Sequence, residues 1–316
     1  MAIAFLFPGQ GAQFVGMGKE IAETFPQAMG LYEKAGSIVG MDLAKICFDG
    51  PSDRLNSTAI AQPAILVSSL AILEAMKACL GPKTPCPSAC AGLSLGEYTA
   101  LHVAGLIDLE DCIQLVNVRA QAMEAAAQAM PGAMVSIIGL DLAKVEAICK
   151  QMAQGQVLQP ANLNCPGQVV ISGERSACER AQGLALQMGA IKAIRLEVSG
   201  AFHSPMMAPA AKTLSDALAK CRIKEPGQIQ VVANKTGRYY RSSQEVRIGL
   251  VEQLTSPVLW QACMERLLGD GIDTFVEIGP GRVLTGLMRR IDRKARVYNV
   301  SDLAGLEALQ TSGLEG

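Results

Sequence analysis

Histidine is scarce in this chain of 316 residues: only His102 and His203 are present. A zinc site that depends on histidine ligands is therefore not expected. The ten cysteines are scattered, with no CxxC pair, and only Cys86 and Cys90 lie close together in sequence. This pattern predicts reduced and mostly buried thiols in a reducing compartment, with no disulfide framework and no metal site.

Charge is sparse and balanced. Lys and Arg number 28 against 29 Asp and Glu, which gives a net charge of −1 and only 18% charged residues. Electrostatic binding of nucleic acid is therefore not expected. Half of the chain is hydrophobic, which excludes a disordered protein and provides for a large core.

Long uninterrupted apolar runs are missing as well. The longest apolar stretch, from Ala64 to Met76, contains Ser68, Ser69 and Glu74. It is shorter than the roughly 20 residues that a membrane span requires. The N-terminal apolar segment is too short for a signal peptide and has no basic flank. A soluble, cytoplasmic-type protein without membrane contact is the expectation, and an organelle matrix is the alternative.

The glycine-rich segments carry no nucleotide signature. Neither Gly9-Gln-Gly11 nor Gly279-Pro-Gly281 completes a dinucleotide fingerprint or a phosphate-binding loop. No bound cofactor is expected.

The order of strands and helices predicts an α/β fold in two parts. Residues 131–199 show the order β-α-β-β-α-β, which predicts a ferredoxin-like small subdomain. Residues 1–130 and 200–316 show alternating α/β segments of one large subdomain, whose apolar strands favour a parallel sheet. A helix is expected over Glu20 to Val39, whereas the segment from Asp302 to Gly316 has no clear pattern.

The strongest local motif is Gly92-Leu-Ser-Leu-Gly96, which follows a predicted strand and begins a predicted helix. In that setting G-x-S-x-G is typical of a nucleophile elbow that exposes the hydroxyl of Ser94. The alternative is a strand–helix turn without chemistry. A serine nucleophile requires a base. His102 would lie roughly 12 Å along the helix from Ser94, so His203, in a loop after a strand, is the better candidate.

Six segments in sequence carry a family resemblance. They are Phe7-Pro-Gly-Gln-Gly-Ala-Gln13, Gly92-Leu-Ser-Leu-Gly-Glu-Tyr98, Val118-Arg-Ala-Gln-Ala-Met123, Asn162-Leu-Asn-Cys-Pro-Gly-Gln168, Gly200-Ala-Phe-His203 and Val276-Glu-Ile-Gly-Pro-Gly281. Together they resemble the malonyl-CoA:acyl carrier protein transacylase family over nearly the whole chain. In that family an α/β-hydrolase-like large subdomain carries a ferredoxin-like small one.

The resemblance implies a role for each matching position. Ser94 would carry the malonyl ester, and His203 would act as general base and then as acid. The backbone carbonyl of Gln253 would orient this histidine in place of a carboxylate. The backbone N–H groups of Gln10 and Leu95 would form the oxyanion hole.

The resemblance also implies how the acyl group is selected. Arg119 is the sole charge between Asp111 and Glu124, and a guanidinium binds a carboxylate through two parallel hydrogen bonds. It would bind the free carboxylate of malonyl; an exposed helix arginine is the alternative. Phe202 would leave little room for a 2-methyl branch, although a phenylalanine of the core fits the sequence equally.

Three further positions either match the family near the site or depart from it. Asn162 and Asn164 match a segment near the site and would support the substrate pocket. Leu93 stands where the family usually has histidine. Since that histidine is not the base, the chemistry should survive, but a polar contact beside the elbow would be lost.

The expected activity is transfer of malonyl from malonyl-CoA to acyl carrier protein by a monomer, for fatty acid synthesis. Three alternatives stay open: a malonyl acyltransferase of a polyketide synthase, a hydrolase that edits acyl carrier proteins, and a non-catalytic docking module. A basic cluster could dock an acidic carrier protein or could be a solvated helix face. It comprises Arg282, Arg289, Arg290, Arg293, Lys294 and Arg296.

Overall fold

A computed structural model describes residues 2–314 and contains, within that range, nine strands and fourteen α-helices. The strands are β1 (Ile3–Phe7), β2 (Ala89–Gly92), β3 (Gly132–Ile138), β4 (Leu158–Cys165), β5 (Gln168–Glu174), β6 (Lys192–Arg195), β7 (Gln230–Val231), β8 (Thr274–Ile278) and β9 (Arg296–Val300). The first seven helices are α1 (Lys19–Thr24), α2 (Pro26–Val39), α3 (Leu43–Asp49), α4 (Ser52–Asn56), α5 (Thr58–Leu80), α6 (Gly96–Val103) and α7 (Leu109–Ala129). The others are α8 (Leu142–Ala153), α9 (Arg175–Gln187), α10 (Ala208–Leu218), α11 (Ser243–Gln253), α12 (Trp260–Gly269), α13 (Val283–Ile291) and α14 (Leu303–Thr311).

The larger sheet is parallel throughout, with the strand order β7-β2-β1-β8-β9. Every residue of β1, β2 and β8 is buried, as expected for strands that helices cover on both faces. Because parallel strands end at the same edge, the loops after β1, β2 and β8 lie near one another. The candidate site residues Gln10 and Ser94 follow β1 and β2 at this edge.

The smaller sheet is antiparallel, with the strand order β4-β5-β3-β6. Helices α8 and α9 cover it, and their apolar sides form a separate core with β3 and β5. The predicted β-α-β-β-α-β order and the two-part α/β fold class are confirmed. The boundaries at residues 131 and 199 remain a prediction. The segments by which the chain enters and leaves this sheet lie side by side, because a Cβ atom added to Gly132 would lie 2.5 Å from the Cβ of Ala201.

Helix α5 runs through the core of the large part. By length and composition, Thr58–Lys83 could cross a membrane, which differs from the expectation for this stretch. However, 67% of its most apolar window is buried inside the protein. The hydroxyl of Ser68 also accepts a 2.8 Å hydrogen bond from the buried hydroxyl of Tyr32 and donates to the carbonyl of Ala64. Helix α5 therefore serves as a core helix, against which α1, α2, α4, α6, α7 and α14 pack.

Two sequence-based expectations for helices were incomplete. The expected helix over Glu20 to Val39 is two helices, because Phe25 is extended (φ −119°, ψ 105°) immediately before Pro26. The segment after Asp302 had no clear pattern, yet it forms α14. The side chain of Asp302 caps this helix by accepting from the N–H of Gly305 at 2.8 Å, and Leu306 is buried against the core.

The cysteines have no disulfide role. All ten are free thiols, and eight of them are buried. Cys86 is exposed and Cys79 is half-buried. Within residues 2–314, no group of three or more His, Cys, Asp or Glu side chains could hold a metal ion.

Candidate active site

Ser94 lies in the tight turn between β2 and α6, with its backbone in the left-handed region (φ 53°). The two glycines of the motif make this turn possible. A Cβ atom on Gly92 would lie 1.9 Å from the carbonyl carbon of Gly96, and one on Gly96 would lie 2.1 Å from the carbonyl oxygen of Phe7. Real Cβ contacts are never this short, so both positions require glycine. The geometry is that of a nucleophile elbow.

His203 contacts the serine directly. Its Nε2 lies 2.8 Å from Ser94 Oγ, and its Nδ1 lies 2.8 Å from the backbone carbonyl oxygen of Gln253. A carbonyl can only accept, so Nδ1 carries the proton and Nε2 is free to accept the proton of the serine hydroxyl. The backbone of His203 also has a positive φ of 58°, and Gln159 Nε2 donates to its carbonyl oxygen at 3.0 Å.

The environment of His203 keeps its imidazole neutral. Burial and, to a lesser extent, the positive charge of Arg119 lower the pKa of His203 to about 4, although the hydrogen bond to the carbonyl of Gln253 opposes both effects. At neutral pH the imidazole is therefore in the form that a general base requires. His102 lies elsewhere: its Nδ1 is 2.9 Å from the carbonyl oxygen of Ile107, and it does not line the cavity at Ser94.

Arg119 projects from α7 into the same place and is only 1% exposed. Its Nη1 donates to Gln62 Oε1 at 2.5 Å. Its Nη2 donates to Ser94 Oγ and to Gln253 Oε1, both at 2.9 Å. The guanidinium carbon also lies 5.5 Å from the ring centroid of Tyr98. All of these direct partners are neutral, so the buried positive charge is available to a carboxylate.

A cavity of about 170 Å³ joins these groups. Its walls come from the loops of the parallel sheet, from α7 and from the small sheet. The lining residues are Gly9, Gln10, Leu93, Ser94, Arg119, Met123, Met134, Asn162, Asn164, Val170, Leu196, Val198, Phe202, His203 and Val283. Seven of the nine sequence-predicted site residues line this one cavity. Gln253 and Leu95 do not, but the role predicted for each depends on a backbone group and not on its side chain.

The two N–H groups predicted for the oxyanion hole are those of Gln10 and Leu95. The side chain of Gln10 is held by a 3.2 Å hydrogen bond from Nε2 to Thr58 Oγ1. Leu95 is fully buried at the start of α6. Among the described residues, neither backbone N–H has a hydrogen-bond acceptor, so both could bind a developing oxyanion.

The remaining predicted residues form the walls of the cavity. Phe202 is 5% exposed and belongs to the hydrophobic core as well as to the cavity, and its part in acyl selection stays a prediction. Asn164 is 9% exposed, and its Oδ1 has no hydrogen-bond partner within the described chain. Asn162 lies on β4, and Leu93 is a half-buried apolar part of the wall.

Four residues behind the cavity were not found from the sequence: Gln62, Glu97, Asn234 and Tyr240. Gln62 binds Arg119, and the other three form hydrogen bonds around the elbow. From the sequence, no acidic residue near His203 or Gln253 was an obvious third member of the catalytic set, whereas in the structure the side-chain amide of Gln253 donates a hydrogen bond to Glu97 Oε2. A signal for Glu97 existed, since it is a lone acidic residue in a small and apolar segment.

The basic cluster is partly engaged within the protein. Arg290 donates to Gln168 Oε1 at 2.9 Å and to the carbonyl of Pro166 at 3.1 Å, so it ties α13 to the small sheet. Arg296 Nη2 donates to both carboxylate oxygens of Asp273, at 2.8 and 3.0 Å.

Comparison with known proteins identifies the family. Residues 4–310 match the acyl transferase domain family. Over 311 residues, the chain is 42% identical to the malonyl CoA-acyl carrier protein transacylase of Bacillus subtilis, which covers 98% of this chain and 96% of that protein. The chain belongs to the malonyl-CoA:acyl carrier protein transacylase family.

Solved structures of this transacylase family have the same fold. The malonyl CoA-acyl carrier protein transacylase of Coxiella burnetii superposes with a TM-score of 0.93 at 38% identity, over 98% of this chain and 97% of that one. A malonyl-transacylase in complex with its type II polyketide synthase acyl-carrier protein gives a TM-score of 0.94 at 40% identity, over 99% and 100%. The predicted family and enzyme class, an acyltransferase, are confirmed.

Proposed function

We propose that the protein transfers malonyl from malonyl-CoA to the phosphopantetheine thiol of acyl carrier protein through an ester on Ser94. The observation that carries this proposal is the convergence at Ser94 Oγ. A neutral histidine lies 2.8 Å from this oxygen and a buried guanidinium lies 2.9 Å from it. A nucleophile, a base and a carboxylate-binding group thus share one cavity.

In the first half-reaction, Ser94 Oγ attacks the thioester carbonyl carbon while its proton moves to His203 Nε2. The N–H groups of Gln10 and Leu95 stabilise the oxyanion of the tetrahedral intermediate. Collapse of this intermediate breaks the C–S bond, and the departing thiolate of coenzyme A takes the proton from Nε2. The products are free coenzyme A and malonyl-Ser94.

In the second half-reaction the acceptor of the malonyl group is the carrier-protein thiol and not water. The thiol gives its proton to His203 Nε2, and the sulfur attacks the ester carbonyl. When the C–O bond breaks, Ser94 Oγ recovers the proton from Nε2. The free enzyme is restored, and each half-reaction balances in protons without an added cofactor.

Arg119 supports malonyl as the acyl group. A malonyl carboxylate bound by its guanidinium would neutralise a charge that its direct partners leave uncompensated. An editing hydrolase of uncharged acyl chains would have no use for this charge. Phe202 closes the cavity near His203, which favours malonyl over a branched analogue. Asn162 and Asn164 contribute amide groups to the wall that faces the acyl chain.

The biological setting proposed here is fatty acid synthesis in the cytoplasm by a monomeric enzyme with no nucleic-acid or membrane partner. Polyketide assembly uses the same reaction, and one relative supports it as a second setting. Over 289 residues, the chain is 44% identical to part of a Burkholderia thailandensis polyketide biosynthesis protein and covers 24% of it.

The direct test is incubation with malonyl-CoA labelled in the malonyl group, followed by peptide mapping. We expect one labelled peptide that contains Ser94, release of the label to a carrier protein, and slow release to water. The Ser94→Ala variant should acquire no label. A label on another residue, or release to water as fast as to the carrier protein, would contradict the proposal.

A further inference from the structure

Glu97 is completely buried in the first turn of α6, three residues after the nucleophile. Both of its carboxylate oxygens are occupied. Oε1 accepts from the hydroxyl of Tyr240 at 2.7 Å and from the backbone N–H of Asn234 at 3.1 Å. Oε2 accepts from Nε2 of Gln253. Buried carboxylates are expensive unless they are bonded in this way, so the arrangement calls for an explanation.

The contact between Glu97 and Gln253 leads to Arg119, the proposed acyl-binding residue. The Nε2 of Gln253 donates both to Glu97 and to the carbonyl oxygen of Ser94, the latter at 3.0 Å. The other end of the same amide, Oε1, accepts from Nη2 of Arg119 at 2.9 Å. An amide has one donor end and one acceptor end. Because Glu97 and Ser94 require the donor, the acceptor must face Arg119.

The contact between Glu97 and Asn234 leads to the elbow itself. Asn234 Oδ1 accepts from the backbone N–H of Ser94 at 2.6 Å, and its Nδ2 donates to the carbonyl oxygen of Gly92 at 2.8 Å. These bonds hold the strained turn on both sides of the serine. Glu97 therefore supports the nucleophile through Asn234 and the guanidinium through Gln253.

We propose that Glu97 is a positioning residue for acyl selection, which fixes the Gln253 amide so that Arg119 presents its guanidinium to the malonyl carboxylate. The inference rests on the function proposed above. Only a carboxylate accepts on both oxygens. In Glu97→Gln the side chain keeps its size but gains an NH₂ group, which must face either Gln253 Nε2 or the N–H of Asn234. One donor then faces another, and the pair is broken.

The test compares the loading of malonyl and acetyl onto Ser94, measured at pH 8 in reactions that are quenched at set times. Burial raises the pKa of Glu97 to about 7, so the carboxylate prevails there. In Glu97→Gln we expect the ratio of kcat/KM for malonyl over acetyl to fall about tenfold to a hundredfold. On an Arg119→Ala background the same change should leave the ratio unaltered, because the group through which Glu97 acts is gone.

The matched control is Glu277→Gln. Glu277 is also fully buried and also accepts on both oxygens, from the N–H groups of Leu284 and Thr285, each at 2.9 Å. It lies outside the cavity, so the ratio should stay at its wild-type value even if stability falls. If Glu97→Gln does not fold, Gln253→Met removes the amide but keeps the carbonyl bonded to His203, and it should lower the ratio likewise.

Three outcomes would overturn the inference: a wild-type ratio in folded Glu97→Gln, an equal drop of the ratio on the Arg119→Ala background, or a wild-type ratio in Gln253→Met. Failure of the proposed function has a different signature. In that case the wild-type protein itself acquires no malonyl label at Ser94.

Discussion

The guanidinium of Arg119 is hydrogen-bonded to the hydroxyl of Ser94, with Nη2 and Oγ 2.9 Å apart. The group proposed to recognise the acyl chain therefore also contacts the atom that attacks it. A bound malonyl carboxylate would compete for the same donor, so substrate recognition and release of the nucleophile would be coupled. This relationship underlies the first prediction.

Arg119→Ala should reduce malonyl loading far more than acetyl loading. Loss of a partner for a buried charge costs about 2–5 kcal/mol, or roughly 30-fold to several thousandfold in kcat/KM. Arg119→Lys should recover only part of the loss, because an ammonium cannot make the bidentate pair. The measurement is single-turnover loading from each thioester. Equal losses for malonyl and acetyl would exclude a carboxylate-binding role.

The acid limit of the reaction should lie far below the usual range of histidine. The pKa of His203 is lowered to about 4 by burial and by Arg119, so the base is neutral above that pH and is lost only as the pH falls through about 4. Loading from acetyl-CoA, which has no titrating carboxylate, should show this limb in kcat/KM. In Arg119→Ala the limb should move to higher pH. A limb near 6.5 that persists in Glu97→Gln, which lacks the Glu97 carboxyl with its pKa of about 7, would contradict the assignment.

A smaller side chain at position 202 should admit a branched substrate. Phe202 lines the cavity beside His203, and one methyl group is worth about 1–3 kcal/mol of discrimination. Phe202→Val should therefore raise methylmalonyl loading relative to malonyl by about tenfold or more. Met134→Leu, a near-isosteric change in the same cavity, provides the control and should leave the ratio unchanged.

The elbow should reject any side chain at Gly96. A Cβ atom there would lie 2.1 Å from the carbonyl oxygen of Phe7 and 2.9 Å from that of Pro8. Gly96→Ala should destabilise the protein by about 1–3 kcal/mol or more, as overpacking does, and should abolish loading. Gly286 is exposed within α13, with no atom near its Cβ position. Gly286→Ala should stabilise by about 0.5–1 kcal/mol in chemical denaturation.

The sequence predicted those parts of the site that local motifs define. Local patterns of glycine, proline and apolar residues predict the strand that ends at Gly92, the turn at Ser94 and the loop that carries His203. Gln62, Asn234 and Tyr240 could not be found in this way. They lie on elements far apart in the sequence and converge only when the parallel sheet brings its strand ends together. Helix α14 escaped for a related reason: its stability comes from burial of Leu306 and Leu309 rather than from local pattern.

The insertion of the small sheet separates two tasks within one cavity. Ser94, Arg119 and His203 belong to the large part, whereas Met134, Asn162, Asn164, Val170, Leu196 and Val198 come from the inserted segment. None of those six takes part in the bond-making steps proposed above. Since Gly132 and Ala201, near the two ends of this segment, lie side by side in space, we expect the segment to be exchangeable as a unit. Replacing it with the corresponding segment of a relative that has another acyl preference should reshape the cavity while Ser94, Arg119 and His203 keep their places.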